Sequence, residues 1–203
     1  MDHKAENKKA YNQYAQKFEE KFKIHVEEYV HKEADIFLTH LLGKEIIDLG
    51  SGPGNHALYL QERGYKVLCV DFSEAMLELC KEKGLNTKYM DLEKWDLPDN
   101  SLDGIWAYAS LLHIPKNKIP EVTKNIKKTL KREGILGIAV KEGSGEDYDT
   151  NEKYPGTKRY FTYFNDEDIK KLFEKDFEVL FKSRRVSEEI TWLFYLLKVR
   201  NKN

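Results

Sequence analysis

The chain has 203 residues, 40% hydrophobic and 34% charged, enough for one domain with a real core. Lys and Arg number 34 against 35 Asp and Glu, a net charge of −1, so no global field draws the chain to nucleic acid or an anionic membrane. Two cysteines, Cys69 and Cys80, are too few for a disulfide framework or a zinc cluster and read as buried thiols in a reducing compartment.

The first 22 residues are polar and read as no signal peptide, and no apolar run approaches the ~20 residues of a membrane span. A cytoplasmic location is expected. Tyr11, Tyr14, Ala15, Phe18 and Phe22 recur at helical spacing. A second helix is expected from about Ile24 to Leu42, with Val26, Val30, Phe37, Leu38 and Leu41 on one side and Gly43 as the stop. Strands and helices then alternate. "EIIDL" reads as a strand, 55–63 as a helix closed by Gly64, and "KVLCVD" as a strand. Ser73 caps "EAMLELCKEK", which Gly84 ends. "TKYMD" and "SLDGIWAYA" read as strands, 118–131 as a helix, and "GILGIAVK" as a strand. A long polar loop follows, then Asn165 caps "DEDIKKLFEKD". "FEVLFKSRR" and "ITWLFYLLKVR" are two last strands joined by "VSEE", able to form an antiparallel hairpin at one edge. This alternation predicts a mainly parallel sheet with helices on both faces.

Ligands of such sheets bind at the carboxyl ends of the strands. The first strand-to-helix loop there is Gly50-Ser51-Gly52-Pro53-Gly54, which lets a ligand approach main-chain N–H groups. The dinucleotide fingerprint G-x-G-x-x-G is broken, because its third position is Asn55. That leaves an NAD-dependent oxidoreductase as a minor alternative. The second strand ends in Asp71, where a carboxylate can accept both ribose hydroxyls. Asp91 ends the third, where an acid can accept an adenine amino group beside apolar Leu92.

Together "DLGSGPG", "VDFSEAML", "MDLEKWDLPDNSLDGIWAYASLLHIP" and "LKREGILGIAVKEG" resemble the class I S-adenosylmethionine-dependent methyltransferases, of the small-molecule type, from Glu45 to about Lys141. The resemblance implies an α/β fold: a Rossmann-like, doubly wound, seven-stranded sheet, mostly parallel, with an antiparallel C-terminal edge strand and added N-terminal helices. It implies one domain over 1–203. Residues 1–42 would form a helical lid, 43–141 the cofactor-binding half, and 142–203 the substrate loop and C-terminal strand pair.

It also implies roles. Gly50, Ser51, Gly52 and Gly54 would wrap the methionine half of S-adenosylmethionine. Asp71 would hold the ribose, Phe72 would pack on adenine, Asp91 and Leu92 would read its edge, and Ala107 would lie near the methionine end. Lys-Arg-Glu-Gly at 131–134 departs from the family's commoner double-glycine turn. Tyr11 and Tyr14 are expected over the cofactor on a lid helix, or else in plain core packing.

His113 in "SLLHIP" is the candidate base, the alternative being a structural histidine that ties its loop down. His56 and, in the loop after Lys141, Glu142, Arg159, Tyr160 and Tyr163 are candidate contacts to a polar or charged small molecule, unless that loop is merely exposed. The four other histidines read as solvated. No metal is expected, since no Asp/Asp/Asn cluster is visible. Lys116, Lys118, Lys124, Lys127, Lys128, Lys131 and Arg132 form a basic stretch without interleaved aromatics, read as a solvated face rather than an RNA platform. The leading reading is methyl transfer to an O, N or S of a small molecule by a monomer or homodimer. A tRNA or protein methyltransferase and a non-catalytic cofactor-binding subunit stand as alternatives.

Overall fold

A computed structural model describes residues 2–25, 30–187 and 189–200. Three helices open the chain, α1 (His3–Gln13), α2 (Ala15–His25) and α3 (His31–Thr39). The alternating part comprises β1 (Glu45–Leu49), α4 (Asn55–Glu62), β2 (Lys66–Asp71), α5 (Glu74–Glu82), β3 (Asn86–Tyr89), β4 (Leu102–Tyr108), α6 (Ile119–Thr129) and β5 (Leu130–Lys141). Then come β6 (Glu146–Asp149), β7 (Arg159–Thr162), α7 (Asp166–Phe173), β8 (Phe177–Ser187) and β9 (Ile190–Val199).

Seven strands form one sheet in the order β3-β2-β1-β4-β5-β9-β8. The first five are parallel, and β9 runs antiparallel to both β5 and β8. The C-terminal pair closes one end of the sheet as expected, with β8 at the rim and β9 inside it. Both faces are covered, so consecutive residues such as Ile46 and Ile47, or Ile105 and Trp106, are all buried. One layer packs Ile47, Ile105 and Ile138 against Val122 and Ile126 of α6 and Phe173 of α7. The other packs Ile46, Cys69 and Trp106 against Phe37 of α3, Leu60 of α4 and Cys80 of α5. Both cysteines are buried, as the sequence suggested.

Four expectations are refined. The first aromatic segment is two helices, broken at Tyr14, whose φ of −120° leaves the helix. The second expected helix is the shorter α3, ending at Thr39 before Gly43, and Val26 lies outside the described residues. The loop after Lys141 carries its own antiparallel pair, β6 with β7. The link between the last strands shrinks, because Val186 and Ser187 pair with Thr191 and Ile190 within the ladder; Glu188 lies outside the described residues.

Candidate functional site

Strand order reverses between β1 and β4, and a cleft of about 330 Å³ opens at the carboxyl ends beside that point. The sheet-side loops form its floor, while α1 and α2 roof it with His3, Lys4, Asn7, Tyr11, Lys21 and Phe22.

The floor begins with the glycine loop. The N–H groups of Gly50 and Ser51 both donate to the Val70 carbonyl, at 2.7 and 3.0 Å, pinning the loop to the end of β2. Gly50 has φ +72°, and a Cβ there would stand 2.3 Å from the Cβ of Ser110, so only glycine fits. Gly52 has φ +53° and faces the cleft. Its N–H donates to Asp71 Oδ2 at 2.9 Å, and Ser73 N–H donates to Oδ1 at 2.9 Å. Burial pushes the Asp71 carboxyl up to about 6, against the pull of these backbone donors. Asp48 lies beneath the loop, wholly buried, with Oδ2 lacking a partner among the described residues. Burial, reinforced by Asp71, pushes it up to about 8, so it is neutral at pH 7 and spares Asp71 a second negative charge.

The roof is latched by polar contacts. Lys4 Nζ donates to Asp91 Oδ2 at 2.8 Å, and Glu93 N–H donates to Oδ1 at 2.9 Å. His3 Nε2 meets Glu93 Oε1 at 2.8 Å. Asn7 is buried and exchanges two bonds with the backbone of Tyr160: its Oδ1 accepts from the N–H at 2.7 Å, and its Nδ2 donates to the carbonyl at 3.4 Å. Asn12 Oδ1 accepts from Ser73 Oγ at 2.6 Å and from Ala75 N at 3.2 Å.

Inside, His113 Nδ1 lies 2.8 Å from the Tyr160 carbonyl and must donate to it, leaving Nε2 to accept from the Tyr11 hydroxyl at 2.7 Å. Burial, with Arg159 and Lys141 nearby, pushes His113 down to about 3, so the ring is neutral.

Of the expected site residues, Gly50, Ser51, Gly52, Asp71, Phe72, Asp91, Leu92, Tyr11, His56, His113 and Arg159 line the cleft. Gly54 does not. It caps α4 with φ +81°, and a Cβ there would meet Leu85 at 2.6 Å. Ala107 is fully buried in the core, whereas Ala109, two residues on with φ +57°, lines the cleft. Tyr14 turns outward, donating from its hydroxyl to the Pro155 carbonyl at 2.7 Å. Glu142 binds Arg184, Tyr160 donates to Glu146 at 2.6 Å, and Tyr163 packs by Gly143, so none of the three lines the cleft. His56 Nδ1 accepts from Trp106 Nε1 at 3.2 Å. His3 is half-buried at the cleft rather than solvated. Within the basic stretch Lys116 pairs with Asp168, Lys127 with Asp176 and Lys131 with Asp103.

Sequence reading missed Lys141, Asn7, Lys4, Ala109 and Trp192 in the lining. Lys141 ends a strand that was read, and a strand end at the carboxyl edge is the signal that could have found it. The others carry no local signature.

Residues 46–134 match the family described as a methyltransferase domain. Over 101 residues the chain is 29% identical to trans-aconitate 2-methyltransferase of Escherichia coli, covering 48% of this chain and 39% of that one. Over 119 residues it is 29% identical to methyltransferase GfsG of Streptomyces halstedii, covering 53% and 42%. The chain spans about half the length, or less, of the curated relatives it matches. Its fold superposes with a TM-score of 0.70 on the Burkholderia thailandensis 1,6-didemethyltoxoflavin-N1-methyltransferase, solved with 1,6-didemethyltoxoflavin and S-adenosylhomocysteine. Identity there is 18%, over 93% of this chain and 86% of that one, which speaks for the fold alone.

Proposed function

We propose that the chain is a class I S-adenosylmethionine-dependent methyltransferase that moves a methyl group from S-adenosylmethionine to an O, N or S atom of a small molecule, a reading supported by the match of residues 46–134 to a methyltransferase domain. The observation that carries this reading is Asp71 at the end of β2, beside a glycine loop that opens onto a roofed cleft. The cleft fits the cofactor chemically. Each Asp71 oxygen holds one backbone donor and keeps lone-pair capacity for a ribose hydroxyl. Gly50, Ser51 and Gly52 would hold the methionine half, Phe72 and Leu92 the adenine faces, and Asp91 its edge once Lys4 shifts.

When bound, the cofactor supplies a methyl group already activated on a sulfonium. The chain's own work is then alignment and exclusion of water. Tyr11 and Phe22 close the roof over the glycine loop. His113 holds the loop after β4 against Tyr160 and, with Nε2 engaged, reaches an acceptor proton only through the Tyr11 hydroxyl. Residues 1–42 act as the lid segment, 43–141 as the cofactor half, and 142–203 as the acceptor side and strand pair. No described helix is long and apolar enough to cross a membrane. The reading includes a cytoplasmic monomer or homodimer.

Calorimetry with S-adenosylmethionine, S-adenosylhomocysteine and NAD tests the cofactor, and a labelled-methyl screen of metabolite, RNA and protein fractions tests the acceptor. Micromolar binding of the first two, none of NAD, and label in the metabolite fraction are expected. Label confined to RNA or protein would overturn the small-molecule reading, and binding without turnover in any fraction would mark a regulatory subunit.

A further inference from the structure

The cleft is electrically divided. Asp71, Asp91 and Glu93 gather at the ends of β2 and β3, where the acids meet Lys4, His3 and backbone donors. Lys141, the last residue of β5, and Arg159, the first of β7, line the other side. Lys141 is 9% exposed, and no carboxylate lies within ion-pair distance of it among the described residues. Its Nζ rests 3.5 Å from the centroid of Phe161, and the guanidinium carbon of Arg159 is 5.1 Å from that same centroid. Burial and the Arg159 charge push Lys141 down to about 8. Asp149 is paired with Arg159 at 3.3 Å and also acts as a counter-charge to Lys141. Burying an ammonium beside a guanidinium is costly unless an anion joins them. Phe161, Ile190 and Trp192 supply an apolar wall beside the two cations.

We propose that the acceptor is a small carboxylic acid, gripped by Lys141 and Arg159 and methylated on a carboxylate oxygen. This rests on the methyltransferase reading above. The reaction balances without a base: the carboxylate oxygen bonds to the methyl carbon, the carbon–sulfur bond breaks, and its electron pair stays on sulfur. No proton is released, and an anion and a cation become a neutral ester and a thioether. The described cleft suits that stoichiometry. His113 has both ring nitrogens engaged, and Asp149 is tied to Arg159. Loss of charge is also favoured where water is excluded, because the separated charges are poorly solvated there.

The test begins with S-adenosylhomocysteine binding to the full chain, which isolates the cofactor question; failure at that step overturns the methyltransferase reading itself. The saturated complex is then titrated with phenylacetate, succinate and tricarballylate, and with their amides. The acids should bind and the amides should not. Lys141→Met and Arg159→Gln should each weaken acid binding at least tenfold while keeping S-adenosylhomocysteine affinity, with circular dichroism and thermal unfolding reporting separately that the variants fold. Label transferred to an acid should return as methanol on mild alkaline hydrolysis, as an ester requires. Equal binding of amides, absence of acid binding across the panel, or alkali-stable label would each overturn the proposal. So would loss of S-adenosylhomocysteine affinity in folded variants, which would show that the cations hold the cofactor's own carboxylate.

Discussion

Asp71 carries two opposed pH dependences. Its carboxyl is pushed up to about 6 in the unliganded fold from an ordinary 3.8, so the folded chain binds more protons than the unfolded chain between those values. The contribution of Asp71 to stability therefore rises as pH falls through 6 and is lost as pH rises. Ribose hydroxyls need the ionised form as acceptor, so cofactor affinity should move the other way and fall below pH 6 by up to ~10-fold per pH unit. Calorimetry at pH 7.5, 6 and 5 checks this, and Asp71→Asn should flatten the profile. Asp71→Ala should cost about 2–4 kcal/mol of binding in a folded protein, from two charge-assisted hydrogen bonds. A second residue-scale prediction concerns the turn into β5. Glu133 has φ +62°, the left-handed conformation that a glycine would adopt without strain. Its ion pair with Lys198 at 3.1 Å is part-exposed and of small worth. Glu133→Gly should be neutral or stabilising by up to ~1 kcal/mol in denaturant melts, and marked destabilisation would show that the ion pair matters more than the backbone.

At the scale of elements, α1 and α2 differ in how they are held. α2 places Phe18, fully buried, against Met76, Leu79 and Tyr154, stacked on the last at 4.3 Å. α1 is held mainly by Lys4, Asn7, Tyr11 and Asn12 on polar partners. Deleting residues 1–13 should therefore leave the sheet folded, with a modest fall in melting temperature, weaker cofactor binding and loss of turnover. A collapse of the melting temperature equal to that of Phe18→Ala would make α1 core rather than lid. These helices also show what the sequence conveyed. The strands and helices of the sheet were legible because apolar periodicity and caps such as Ser73 and Asn165 agree with the final packing. The break at Tyr14 was not, since Tyr14 and Ala15 keep helical spacing across it. The β6–β7 pair was hidden because "EDYD" is short, polar and exposed, and its partner β7 is set by Asn7, 153 residues away. Asp71, Asp91 and the glycine loop were readable from their places at strand ends. Tyr14, expected over the cofactor from its place on the first helix, and Glu142, Tyr160 and Tyr163, expected from their place in a long polar loop, instead bind Pro155, Arg184 and Glu146 or pack by Gly143, contacts that no sequence spacing signals.

Across the whole molecule, the cofactor cleft joins pieces from the start, middle and end of the chain, from His3 to Trp192. A ligand bound there ties distant segments together and should stabilise the fold by mass action, about 2.7 kcal/mol at 100 times its dissociation constant. A scan of melting temperature against S-adenosylhomocysteine concentration should rise without a plateau, and NAD should leave it unmoved. The paired amide of Asn7 has a consequence for the order of events. By bonding to both backbone groups of Tyr160 it joins the roof helix to the β6–β7 pair, and through His113 the same strand grips the loop beyond β4. If the roof closes over the cofactor as proposed, these bonds would make it and the β6–β7 wall move as one shutter. A shutter of that kind opens for both substrates or for neither, so the spent cofactor and the methylated product would leave through the same opening, and their release rates would change together when Asn7 is replaced.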